Sequence, residues 1–116
     1  MSTEKKLGSA EREWIEELAG SWIEVYKKSA TTLVLLRIIS QRGPIPAQEI
    51  HKVFEAETGW SITERGLYRT LKRLASLSLL TITPVSVPGT GARRKDFTVT
   101  PAGALYLERI SESLIT

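Results

Sequence analysis

The stretch "SITERGLYRTLKRLASLSLL", residues 61–80, decides the fold. Leu67, Leu71, Leu74 and Leu77 recur at helical spacing, with Leu80 extending the row, so one face of a helix is apolar. The remainder of the cylinder carries Arg65, Tyr68, Arg69, Lys72 and Arg73, with Glu64 the sole carboxylate. A helix face that is merely solvated mixes signs, typically with Glu four residues before Lys or Arg. Here Glu64 precedes Tyr68 at that spacing, so internal salt bridges do not account for the cations. Ser61 and Glu64 have capping-box spacing, and Thr63 is the alternative N-cap.

Downstream, "LTITPVSV" alternates as a strand from about Leu80 to Val87, and Pro84 confines it to a sheet edge or forces a bulge. "PGTGA" is a turn and "RRKDFTVT" the returning strand. Thr100 caps a last helix with Pro101 at its first position, and Tyr106, Leu107, Ile110 and Leu114 form its stripe. Upstream, "PIPAQEIHKVFEAETG" predicts a helix over Ala47–Thr58 with Ile50, Val53 and Phe54 inward and Gly59 as its stop. His51 is expected to be a surface imidazole. "TTLVLLRIISQRG" has the β-branched content of a strand. The threonines before it and Gly43-Pro44 after it instead predict a short buried helix over Thr32–Gln41.

A separate amphipathic helix is expected over Ser9–Lys28, with Ser9 as N-cap, Glu11 and Glu13 in its first turn, and a kink allowed at Gly20. Trp14, Ile15, Leu18, Trp22, Val25 and Tyr26 make its apolar stripe, which suits a core contact and a dimer contact equally. Residues 1–8 are expected to be disordered. The element order is four helices, two strands and a helix. No repeat, linker or low-complexity segment interrupts it, so a single domain over 1–116 is expected, with N-terminal helix 9–28, core 31–100 and C-terminal helix 101–116.

Composition narrows the function. With 116 residues and 41% apolar content the chain can build a real core. It has no cysteine, which excludes disulfides and thiol chemistry, and one histidine, so no metal site is expected. The longest apolar run, Leu33–Leu36, is too short to span a bilayer, and the N-terminus lacks a secretory apolar region, so no membrane contact and a cytoplasmic location are expected. The net charge of +3 is unevenly spread. Residues 61–95 carry seven Lys/Arg against Glu64 alone, whereas residues 1–60 carry eight Lys/Arg against nine Asp/Glu. A cationic middle between neutral or acidic ends points to a localised anion-facing surface.

Two short helices joined near Gly59–Ser61, the second of them basic, followed by a hairpin with a cationic tip, give the order of a winged helix-turn-helix. The fold class is therefore mainly α with a small β-hairpin, plus an extra N-terminal helix and a C-terminal helix. An α-helix fills the major groove of B-DNA with its first turns at the base edges. Arg65 and Arg69 are the base-reading candidates, since arginine pairs bidentately with guanine. Tyr68, Lys72, Arg73, Arg93, Arg94 and Lys95 are candidate phosphate contacts. The bare Gly89-Thr90-Gly91 tip lets the wing approach a backbone.

"GLYRTLKRLASLSLL" resembles the Tyr-x-x-Leu-x-x-Leu core of PadR-like transcriptional regulators. "RRKDFTVTPAG" resembles their basic wing and the aromatic-x-x-Thr-x-x-Gly segment after it, and "VLLRIISQRGPIPAQEI" is similar to the helix that precedes them. The resemblance spans roughly residues 31–107. It implies a dimeric, repressor-type protein on an inverted-repeat operator in double-stranded DNA, with a terminal helix that helps pair the subunits. It also implies that Tyr68 donates its hydroxyl to a phosphate, that Thr63 caps the recognition helix, and that Lys72 and Arg73 are the usual basic pair. Gly66 departs from the usual threonine, Ser78 from a helix-ending glycine, and the C-terminal region is short. The tryptophan-bearing helix can then share the homodimer contact, which would comprise Trp14, Leu18, Trp22, Tyr106, Leu107, Ile110 and Leu114.

The alternative is a winged-helix module that binds an acidic protein partner. A catalytic role is not expected, because no nucleophile–base pair, phosphate loop or metal set is visible, and no cofactor is expected. Trp14, Trp22 and Trp60 could line a pocket for a small aromatic effector at a dimer interface, although core packing is the commoner use of tryptophan.

Overall fold

Burial of three leucines organises the second half of the chain. In a computed structural model that describes residues 6–115, the helix Glu64–Ser76 buries Leu67, Leu71 and Leu74 to 2% exposure or less. Each such side chain contributes about 1.5–3 kcal/mol when fully buried. In chain order the elements are α1 (Ser9–Arg42), β1 (Ile45–Pro46), α2 (Ala47–Thr58), α3 (Glu64–Ser76), β2 (Leu80–Ser86), β3 (Arg93–Val99) and α4 (Pro101–Glu112). The chain divides into two compact units, the first ending at Thr31 and the second beginning at Thr32.

The core lies in the second unit. Leu35, Leu36, Ile38 and Ile39 of α1, Ile50 and Phe54 of α2, the α3 leucines, Ile45, Leu80 and Phe97 form one buried cluster. The sheet order is β1-β3-β2, all antiparallel, so Phe97 sits between Ile45 and Ile82 in the central strand. Pro84 lies on the edge strand β2 opposite Lys95, where its missing N–H breaks no inner ladder.

Three expectations are corrected, and of the two N-caps open for α3 one is selected. Ser9–Lys28 and Thr32–Gln41 are not separate helices, since α1 is continuous from Ser9 to Arg42. The Thr31 hydroxyl donates to the Lys27 carbonyl at 2.6 Å, a bond back along the helix that uses it within a turn instead of as a cap. The hairpin gains a third strand, β1, two residues long. Thr63 rather than Ser61 caps α3, accepting from the Gly66 N–H at 2.9 Å. Leu77 does not join the leucine row: α3 ends at Ser76, Leu77 is exposed, and Ser78 takes a left-handed φ of 63° that turns the chain into β2. Of the residues expected to be disordered, 1–5 lie outside the described residues.

The Thr-Pro-Ala-Gly segment fastens α4. Thr100 Oγ1 accepts from the Gly103 N–H at 2.9 Å and donates to the Ser78 carbonyl at 2.7 Å, while the Thr100 N–H donates to the Leu79 carbonyl at 3.1 Å. Gly103 is buried, and a Cβ there would stand 2.1 Å from the Leu79 carbonyl oxygen and 2.9 Å from Val99 Cγ1. Leu107 and Ile110 pack against the core, whereas Leu105, Tyr106 and Leu114 are exposed.

In the first unit Trp14, Ile15, Leu18, Trp22, Val25 and Tyr26 are all exposed, and the Trp22 and Tyr26 rings stack with centroids 5.5 Å apart.

Gly103→Ala must push α4 off the Leu79 backbone. Overpacking of this kind costs about 1–3 kcal/mol, which lowers Tm by roughly 10 °C in a domain of this size; thermal unfolding followed by circular dichroism measures it.

Candidate nucleic-acid interface

The turn between α2 and α3 is held through both backbone polar groups of one residue. The Ile62 N–H donates to Glu55 Oε2 at 3.0 Å, and the Ile62 carbonyl lies 2.7 Å from His51 Nε2. His51 Nε2 is also 3.3 Å from Glu55 Oε2, one helical turn away on α2. Gly59 closes α2 in the left-handed region at φ 71°, and Thr58 Oγ1 accepts from the Trp60 N–H at 3.0 Å. His51 is therefore no plain surface imidazole; half-buried, it fixes where α3 begins. The His51–Glu55 spacing of four residues was the available signal for this contact. Trp60 tilts against Phe54, with centroids 6.4 Å apart, and packs on the core.

With the leucines inward, helical periodicity puts Arg65, Arg69 and Lys72 on the opposite side of α3, and all three are exposed. Tyr68 lies on one flank of this face and Arg73 on the other. The Arg73 guanidinium reaches Thr32 Oγ1 at 3.5 Å. Thr63 is exposed at the helix start with its hydroxyl engaged as the cap. Gly66 stands close beneath that cap, since a Cβ there would meet Thr63 Oγ1 at 3.0 Å.

The three wing cations do not act alike. Side chains alternate along β3, so Arg93 and Lys95 share the face of buried Phe97 while Arg94 shares the face of Asp96. Lys95 Nζ donates to the Tyr68 hydroxyl at 3.1 Å and sits 5.8 Å from the centre of its ring. This contact joins the wing to the exposed flank of α3. Arg94 Nε lies 3.1 Å from Asp96 Oδ1, whose side chain is 7% exposed. The N–H is not aimed squarely at that oxygen, so the contact is an ion pair rather than an aligned hydrogen bond. Asp96, missed in the sequence, thus tethers one of the three cations. Its i, i+2 spacing from Arg94 on a strand was the only cue.

A cleft lined by Ala47, Gln48, His51, Glu64, Leu67 and Tyr68 has a volume of ≈ 170 Å³. That is below the ~300–1,000 Å³ of ordinary small-molecule pockets. The exposed cationic face of α3 adjoins the wing through the Lys95–Tyr68 contact.

The model of the transcriptional regulator PadR-like family matches residues 35–109. The chain belongs to that family. Solved structures share its fold. A PadR-family transcriptional regulator from Eggerthella lenta DSM 2243 is 21% identical, with 85% of this chain and 84% of that one covered at a TM-score of 0.69. The transcriptional regulator TA0346 from Thermoplasma acidophilum is 21% identical, covering 73% of this chain and 80% of its own at 0.67. Bacillus subtilis PadR, solved in complex with operator DNA, is 24% identical over 70% of this chain and 47% of its own, with a TM-score of 0.61. None of the curated proteins compared matches the chain. No helix among the described residues is long and apolar enough to cross a membrane.

The PadR-like match contains α2, α3, both hairpin strands and most of α4, and hence every candidate DNA contact named above. At Ser78, where the resemblance implies a glycine, the backbone is left-handed at φ 63°, a region that a serine tolerates less well than glycine.

Thr63→Ala removes the cap of α3 and is expected to lower stability by about 1 kcal/mol. Arg69→Ala, on the exposed face, is expected to change it by less than about 0.5 kcal/mol. Urea denaturation of both variants separates the residue that builds the helix from the one that faces outward.

Proposed function

We propose that this chain is a sequence-specific regulator that binds double-stranded DNA as a homodimer on an inverted repeat and acts as a repressor. The observation that carries the reading is the division of α3 into a buried leucine side and an opposite cationic side, with the wing joined to it through Lys95 and Tyr68. A helix so divided can enter a major groove without exposing apolar side chains, and its neighbouring wing can rest on the flanking backbone. The relative from Bacillus subtilis was solved with operator DNA, which supports the same partner here.

In this reading Arg65 and Arg69, near the start of α3, pair with guanine edges. Lys72, Arg73, Tyr68, Lys95 and Arg93 neutralise or hydrogen-bond phosphates, and Arg94 does so while held by Asp96. Thr63 acts through its cap, which orients the first turn of α3. The homodimer uses Trp14, Leu18 and Trp22 from the first unit and α4 from the second. Tyr106 on α4 and Leu114 just past its end are exposed for a partner, while Leu107 and Ile110 back the helix from the core side.

Binding to a fluorescently labelled duplex is expected to weaken steeply with salt. Five cations on phosphates in each of two protomers give a log–log slope near −9. Lys95→Ala, present in both protomers, should reduce the slope by about two. A flat salt response would instead favour an acidic protein partner.

A further inference from the structure

The apolar stripe of residues 9–31 has an internal symmetry that its position outside the family match does not explain. The stripe consists of Trp14, Ile15, Leu18, Trp22, Val25 and Tyr26, bounded on the same helix face by Glu11 and Ser29. These positions mirror one another about residue 20. Glu11 reflects onto Ser29, Trp14 onto Tyr26, Ile15 onto Val25, and Leu18 onto Trp22. Every member is exposed, with Trp22 at 67%. A contiguous exposed apolar stripe with polar borders is the mark of an interaction surface.

The mirror pattern specifies the occupant. Under two-fold symmetry a residue i meets j while j meets i. A seam that reads the same from either end therefore matches a second copy of itself running in the opposite direction. Charge gives the same orientation. Glu11, Glu13, Glu16 and Glu17 stand in the first half against Arg12, whereas Lys27 and Lys28 stand in the second half against Glu24. Parallel pairing would bring the acidic halves together. Antiparallel pairing sets each acidic half beside the basic end of the other copy, with Glu13 mirrored by Lys27.

We propose that residues 9–31 form an antiparallel helix pair between two copies of the chain, centred near Gly20. Trp14 then packs on Tyr26 of the other copy and Leu18 on Trp22, so the aromatic side chains cover one another along about 35 Å of helix. Gly20 lies on the side away from the seam, where no atom would crowd a Cβ. The proposal rests on the homodimer reading above and adds the direction and register of one contact.

The chain has no cysteine, so introduced ones report without background. Glu11→Cys and Ser29→Cys lie at the two ends of the stripe and leave its apolar members intact. The full-length single variants are prepared separately and as a refolded mixture, oxidised, and resolved on a non-reducing gel. Light scattering of the reduced protein gives the oligomeric state independently. The expected result is that neither variant cross-links alone, while the mixture yields a mixed disulfide between positions 11 and 29. Cross-linking of each variant alone would mean parallel helices and overturn the proposal. A dimer by light scattering with no cross-link in any sample would overturn it while leaving the homodimer reading intact. A monomer would overturn both.

Discussion

Packing of Leu67, Leu71 and Leu74 into the core is the constraint on which the rest depends. A helix has only two sides, so anchoring one determines the other. Once these leucines meet Leu35, Ile38 and Phe54, Arg65, Arg69 and Lys72 have no direction but outward. The α2–α3 turn then sets where the outward face begins. The Ile62 peptide is held by Glu55 and His51, Gly59 reverses the chain, and Thr63 opens α3 with a satisfied N–H. A polar residue at any of the leucine positions would not merely weaken the core. It would rotate or release the cationic face.

The wing is coupled to that face by small contacts of different kinds. The Lys95–Tyr68 pair joins the hairpin to α3, and the buried Asp96 holds Arg94 on the other side of the strand. Phe97, buried in the core, anchors β3 between β1 and β2. Charge that would repel at three adjacent positions is thereby divided. One cation is hydrogen-bonded to a tyrosine, one is ion-paired to a carboxylate, and Arg93 stands exposed near the tip. The segment after the wing completes the frame, because Thr100 and Gly103 lock α4 onto the backbone that ends α3.

Much of this was legible in residue order. The α3 stripe, the edge placement of Pro84, the α2 boundaries at Ala47 and Thr58, and the Thr100 cap all follow from local chemistry that the tertiary structure leaves intact. The failures have local causes too. Residues 9–31 show one exposed apolar stripe, whereas Leu35, Leu36, Ile38 and Ile39 form a buried face with Arg37, Ser40 and Gln41 exposed opposite, so one helix reads as two where its pattern changes. Thr31 and Thr32 resemble a cap from sequence, but the Thr31 hydroxyl bonds back to Lys27. Leu77 has the right spacing for the core and misses it because the chain reverses at Ser78. The two-residue strand β1 contains a proline and carries no period at all. His51 and Asp96 were passed over because a polar side chain's partner becomes visible only when distant elements meet.

In the proposed function the side of α3 opposite the leucines reads bases. Selection of bound duplexes from a random library, carried out with the wild-type chain and with Arg69→Ala, tests it most directly. A palindromic consensus is expected for the wild type, and loss of preference at one position of each half-site for the variant. Recovery of duplexes without any shared sequence, or an identical consensus from both proteins, would contradict it.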